Sequence, residues 1–139
     1  MCWREGVSRV ASLPMWCAEQ PALPVSALED LLQLYAGQRR LYGEILALSR
    51  RQGELLRGGA RLGELRALLT AKRDRLDAIA RLEREHAPAR NIWERERAGN
   101  AGAARLHSAL REVAALIEEI LETEEYNDQL LLAETGVAP

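Results

Sequence analysis

Apolar side chains recur along most of this chain at alternating spacings of three and four, the period of a helix with one face against a neighbour. Between residues 28 and 56 the stripe is Leu28, Leu31, Tyr35, Gln38, Tyr42, Ile45, Ser49, Gln52 and Leu56. A second stripe beside it recurs every seven residues, at Leu34, Leu41, Leu48 and Leu55. Together they form an apolar face wider than a two-stranded seam requires. The run "SALE" at 26–29 has the form of a capping box, Ser26 accepting from the backbone N–H of Glu29 while the Glu29 carboxylate reaches back. A first helix is therefore expected from Ser26 to about Arg57, ended by "GGA" at 58–60, where Gly takes the left-handed conformation.

A second helix is expected from about Leu62, with the stripe Leu62, Leu65, Leu69, Lys72, Leu76, Ile79 and with Leu68 and Leu82 alongside. Pro88 removes a backbone donor and should kink or split it. The stretch "PARNIWERERA" restarts with Pro near its first turn, where Pro is tolerated, and Trp93 is its large apolar residue. "GNAG" at 99–102 is the next break. A third long helix is expected from about Ala103 to Ala133, its stripe Leu106, Leu110, Val113, Ile117 and Ile120 widened by Leu116 and Leu121. Residues 1–25 have no period and contain Pro14, Pro21 and Pro24, so a loose, disordered leader is expected before one helical domain spanning 26–136. The expected fold is all-α: an elongated antiparallel three-helix bundle or coiled coil, its second helix kinked or split at Pro88.

The pattern is broken in two places. Gly37, Gly43 and Gly53 lie inside the first helix, each costing on the order of 1 kcal/mol against Ala, and Gln38, Ser49 and Gln52 occupy seam positions. Either this is a partly exposed seam in an ordinary bundle, or the helix is loose enough to exchange packing partners. The second break is in the tail. Leu116, Ile117, Ile120 and Leu121 continue the seam, but its next turns fall on Glu124, Asn127 and Asp128, poor core residues. Leu131 returns to the same face, and Tyr126 and Leu130, four apart, adjoin it. Either Leu130, Leu131 and Leu132 cap the bundle against Leu28 or Leu31, or this patch and the acidic run around it contact a partner. The candidate partner-binding residues are thus Leu116, Ile117, Ile120, Leu121, Tyr126, Leu130, Leu131 and Leu132.

Charge sharpens the question about the tail. The 139-residue chain has a formal net charge of only −2, which gives no reason to expect nucleic acid or an anionic membrane as a partner. Residues 39–111, however, hold 17 basic and 9 acidic side chains, whereas residues 112–139 hold 8 acidic and none basic. Such asymmetry marks an interaction tail or a tail lying against basic helices. On the second helix, Arg73, Arg75, Arg81 and Arg84 alternate with Asp74, Asp77, Glu83 and Glu85, the pattern expected of a solvated, ion-paired face. Aromatics make up only 4% of the chain, with no Phe, in keeping with helices rather than a sandwich.

No constellation for catalysis emerges. His86 and His107 stand 21 apart without HExxH or ExxH context, the serines lack GxSxG, and there is no phosphate loop. Neither an enzyme nor a cofactor or metal site is expected. Cys2 and Cys17 have no ligand-like or CxxC spacing, no stretch is apolar enough for a membrane span or a signal h-region, and a reduced cytoplasmic location is expected. Translation from Met15 is a hypothesis that the intact mass of the native protein would decide.

Three motifs, in order, carry a family resemblance. They are Leu41-Tyr42, Leu46, Leu48-Ser49, Gln52, Leu55 and Gly58; then Leu65, Leu68-Leu69, Lys72, Leu76-Asp77, Ile79 and Leu82; then Pro88, Arg90 and Trp93. Over about residues 26–133 the chain resembles the FlgN family of flagellar type III export chaperones, in its divergent FlgN-like branch. The "GGA" turn departs from the Gly-Asp pair frequent in that family. The resemblance implies a cytoplasmic helical chaperone that binds hook–filament junction (hook-associated) proteins and delivers them to the flagellar export gate. It also implies that the C-terminal helical region is the main element gripping the substrate's terminal segments, which order as amphipathic helices on binding. The competing expectation is a structural coiled-coil adaptor or self-associating bundle, with a homodimer among its forms.

Overall fold

A computed structural model describes residues 23–59, 61–96 and 102–135. The expected leader lies outside the described residues, apart from its last three positions. The described chain is all-helical: α1 (Leu23–Arg57), α2 (Leu62–Glu85), α3 (Ala87–Glu96) and α4 (Ala103–Thr135). α1 begins three residues before the expected cap, so Ser26 lies within the helix and the "SALE" box does not start it. Pro24 sits in that first turn, where a helix has no use for an N–H. At the other end Gly59 adopts φ +73°, and the Gly58 N–H donates to the Glu54 carbonyl at 3.0 Å. α2 opens with the Arg61 backbone N–H donating to the Glu64 carboxylate at 3.3 Å. His86 forms a turn between α2 and α3, and Pro88 is the second residue of α3.

α1, roughly 52 Å long at 1.5 Å per residue, is the spine on which the other helices pack. α2 runs back along it: Gln38 donates to the Glu83 carboxylate at 2.9 Å, Arg75 to Glu44 at 3.1 Å, and Lys72 to the Gln52 side chain at 2.9 Å. α3 continues toward the start of α1, where Ala89 and Trp93 are buried with Ala27, Leu31, Leu34 and Leu106. α4 then runs beside α1 in the same direction, with Arg39 meeting Glu112 at 3.1 Å and Arg50 meeting Glu119 at 3.5 Å. Among the described residues no Cα of α4 comes within 8 Å of α2 or α3, so the face between α2 and α4 is open at backbone level.

Leu41, Ile45 and Ile79 form a second apolar cluster, with Ile120 of α4 packed against it. On either side of it the seam turns polar. Gln38 and Ser49 are buried and Gln52 is half-buried, so the expectation of a partly exposed seam is overturned at the first two and holds at Gln52. Each of the two buried residues has a partner on another helix, Glu83 for Gln38 and Glu124 for Ser49, so burial leaves no donor unmet.

The internal glycines divide by what surrounds them. A Cβ on Gly53 would stand 2.6 Å from Asn127 Oδ1, and one on Gly37 would stand 2.8 Å from Leu82 Cδ1, whereas Gly43 has nothing within 4 Å. At two of the three, then, glycine admits a close neighbour and does not mark a loose helix. Gly43→Ala is expected to raise stability by about 0.5–1 kcal/mol through helix propensity alone. Gly53→Ala is expected to lower it by about 1–2 kcal/mol, because Asn127 must move off its hydrogen bond. Urea unfolding followed by circular dichroism reads both; a Gly53→Ala variant as stable as Gly43→Ala would show that Asn127 is free to move aside.

Candidate partner-binding groove

Two rows of leucine border the open face. On α2, Leu62, Leu69 and Leu76 recur every seven residues and are 68%, 51% and 51% exposed. On α4, Leu110, Ile117, Glu124 and Leu131 also recur every seven, with Leu121 four residues beyond Ile117 on the same flank. Leu110, Leu121 and Leu131 are exposed as well. The rows meet at one end, where Leu131 joins Leu62, Leu65 and Leu69 around a cavity of about 230 Å³ floored by Gln52 and Leu56. Because α4 runs with α1, its last turns arrive at the end of α1. The Leu130–Leu132 run therefore does not cap Leu28 or Leu31, which lie at the opposite end with Trp93.

Beneath the leucines lies a polar layer. Lys72 and the Ser49 hydroxyl both donate to the same oxygen of Glu124, and Lys72 also donates to Gln52. The Lys72 and Glu124 side chains are 12% and 29% exposed. One turn on, Asn127 is 1% exposed; its Nδ2 donates to the Ser49 carbonyl at 2.8 Å and its Oδ1 has no partner. The positions expected to form a polar break in the tail are instead its best-fixed contacts. This holds for Glu124 and Asn127, where α1 and α2 supply a donor or acceptor in place of water, while Asp128 is exposed.

The expected partner-binding set is divided by the fold. Leu121 is 63% exposed, a correction to its assignment to the core, because it sits to the α2 side of the line facing α1. Ile120 packs into the apolar cluster, while Leu116, Ile117, Leu130 and Leu132 are half-buried. Tyr126 lies on the other flank of α4: its hydroxyl is 3.4 Å from Arg57 Nη1, and the Arg57 guanidinium stands 5.8 Å over its ring. Ile117, Leu121 and Leu131 thus share the groove, and Tyr126 does not. The opposite wall, Leu62, Leu69 and Leu76, was expected in the core stripe of its helix. Its seven-residue recurrence was visible, as was a Lys at the seam position between Leu69 and Leu76.

The charged face of α2 also differs from expectation. Arg75 and Glu83 turn toward α1, and Arg66, Arg73, Arg81 and Arg84 form no ion pair among the described residues. Glu118, Glu125 and Asp128 of α4 are likewise unpaired there. Tyr42, half-buried beside this layer's apolar neighbour, has its phenol pushed above the usual range, chiefly by burial and then by the charge of Glu83. Among the described residues no three His, Cys, Asp or Glu side chains converge as a metal site would require, and no helix is long and apolar enough to cross a membrane. Compared with family models, with curated proteins and with solved structures, the chain finds no match.

Proposed function

We propose that this chain is a cytoplasmic flagellar export chaperone of the FlgN kind, an elongated three-helix bundle with a divided second member. It holds an amphipathic helix of a hook–filament junction protein between α2 and α4 and delivers it to the export gate. The observation that supports this most is the pair of half-exposed leucine rows over a polar floor in which Lys72 and Ser49 both donate to Glu124. Exposed leucines in register on two antiparallel helices are what a guest helix needs, offering anchors at i, i+3, i+4 and i+7. Each Leu or Ile that the guest buries contributes roughly 1.5–3 kcal/mol, so a handful offset the ordering of a disordered segment and leave a releasable complex. The motif order described above supports the flagellar assignment.

The test is calorimetric titration of the chain with terminal segments of junction proteins. Leu62→Ser, Leu69→Ser and Leu76→Ser together are expected to weaken binding by about 100-fold or more. Because these side chains are already largely in water within one chain, melting measured at a concentration where the chain is monomeric should change little, each within about 0.5 kcal/mol. Tyr126→Ala is expected to bind as the parent does. Unchanged affinity in the leucine variant would remove the groove from the function. Failure of every junction-protein segment to bind would favour the alternative, a structural adaptor.

A further inference from the structure

We propose that, in the absence of a guest helix, two copies of this chain dock groove to groove about a two-fold axis running along the helices. The inference rests, as the proposed function does, on the α2–α4 face being a docking surface. Within one chain α2 and α4 run in opposite directions, since both are aligned by α1. A two-fold axis along the groove lays α2 of each copy over α4 of the other. Every neighbouring pair in the resulting square is then antiparallel, the arrangement of a four-helix bundle. The axis preserves height along the helices. Leu62 of one copy therefore comes level with Leu131 of the other, near which it already lies within its own chain.

Charge selects this occupant. Arg66 and Arg73 are seven apart on α2, exposed, and without an ion pair among the described residues; Arg66 also lines the cavity at the end of the groove. Glu118 and Glu125 are seven apart on α4, exposed and unpaired in the same sense. Helical spacing puts each pair on the outward side of its leucine row. Within a chain they do not meet. Across the two-fold axis the basic rim of each copy faces the acidic rim of the other, twice. A face about 36 Å long and two helices wide covers roughly 700 Å² per copy, close to the amount a specific dimer buries.

Sedimentation equilibrium of the full chain tests this, with calorimetry of the same samples against junction-protein segments. The free chain is expected to be a dimer that weakens as salt rises. Arg66→Glu with Arg73→Glu should weaken it at least about tenfold, since two favourable rims become repulsive. Adding Glu118→Arg and Glu125→Arg to the same chain should restore it, because both rims then reverse together. A chain monomeric at about 100 µM in low salt, where a millimolar or better dimer would begin to register, overturns the inference. So does a dimer indifferent to the first pair, or one that the second pair fails to restore. A monomer that takes a guest helix into the groove overturns the dimer and leaves the proposed function standing. A dimer that behaves as described but binds no junction-protein segment does the reverse.

Discussion

Trp93→Ala is expected to cost about 3–5 kcal/mol of folding stability, the range for removing a large aromatic from a core. Trp93 is one of the largest side chains in the chain and is only 8% exposed. It is packed in one cluster with Ala27, Leu31 and Leu34 of α1 and Leu106 of α4, so it joins three helices at once. α3 has ten residues, too few to hold a helix in water by itself. Its order is therefore borrowed from this contact. Losing the indole leaves a space that Ala89 is too small to fill and detaches the segment that leads the chain from α2 to α4. The midpoint of thermal unfolding should fall by roughly 10–20 °C for a helical unit of this size. Trp93→Leu should recover part of the loss by refilling volume. Urea unfolding of the three proteins reads the difference; a loss under about 1 kcal/mol would mean that α3 carries little of the fold.

The second large effect belongs to the polar layer and is a difference between variants. Lys72→Met alone is expected to cost about 2–3 kcal/mol, because Glu124 keeps a carboxylate in a site with little water and loses its cation. Glu124→Leu alone should cost a similar amount, since Lys72, the more enclosed of the two, is left charged. The double variant should lie within about 1 kcal/mol of the parent, because an apolar pair needs no solvation and packs beside Ile120 and Leu56. The remaining deficit comes from Ser49 and Gln52, whose own partners disappear with the pair. A double-mutant cycle in urea gives the coupling. Additive losses would show that the two groups stabilise the fold independently and that the pair is incidental.

What the layer contributes beyond energy is alignment. Seven-residue recurrence leaves α4 several ways to lie along α1, one heptad apart. Asn127 bonded to the Ser49 carbonyl, with Gly53 leaving room for its Oδ1, fits one of them.

These features show where local and long-range information part. The existence of the long helices, the stop at Gly58–Gly59 and the seven-residue recurrence follow from contacts three or four residues apart, and such contacts are written in consecutive letters. The sequence by itself also placed Leu31, Leu34, Ile45, Ile79, Leu106 and Val113 on inward faces, and all are buried. It marked Lys72 as a seam residue, although nothing near Lys72 names its partner. Tertiary structure alone decided the rest. Leu69 and Ile79 belong to one apolar face of α2, yet α1 covers only the Ile79 side, so a wide stripe became half core and half groove wall. Asn127 and Leu121 exchanged the roles that their polarity predicts. The Ser49 carbonyl, 78 residues away, accepts from Asn127 Nδ2, and among the described residues no helix covers Leu121. Burial of a polar group is decided by whether a partner arrives to replace water, and that partner comes from another helix, where periodicity does not reach.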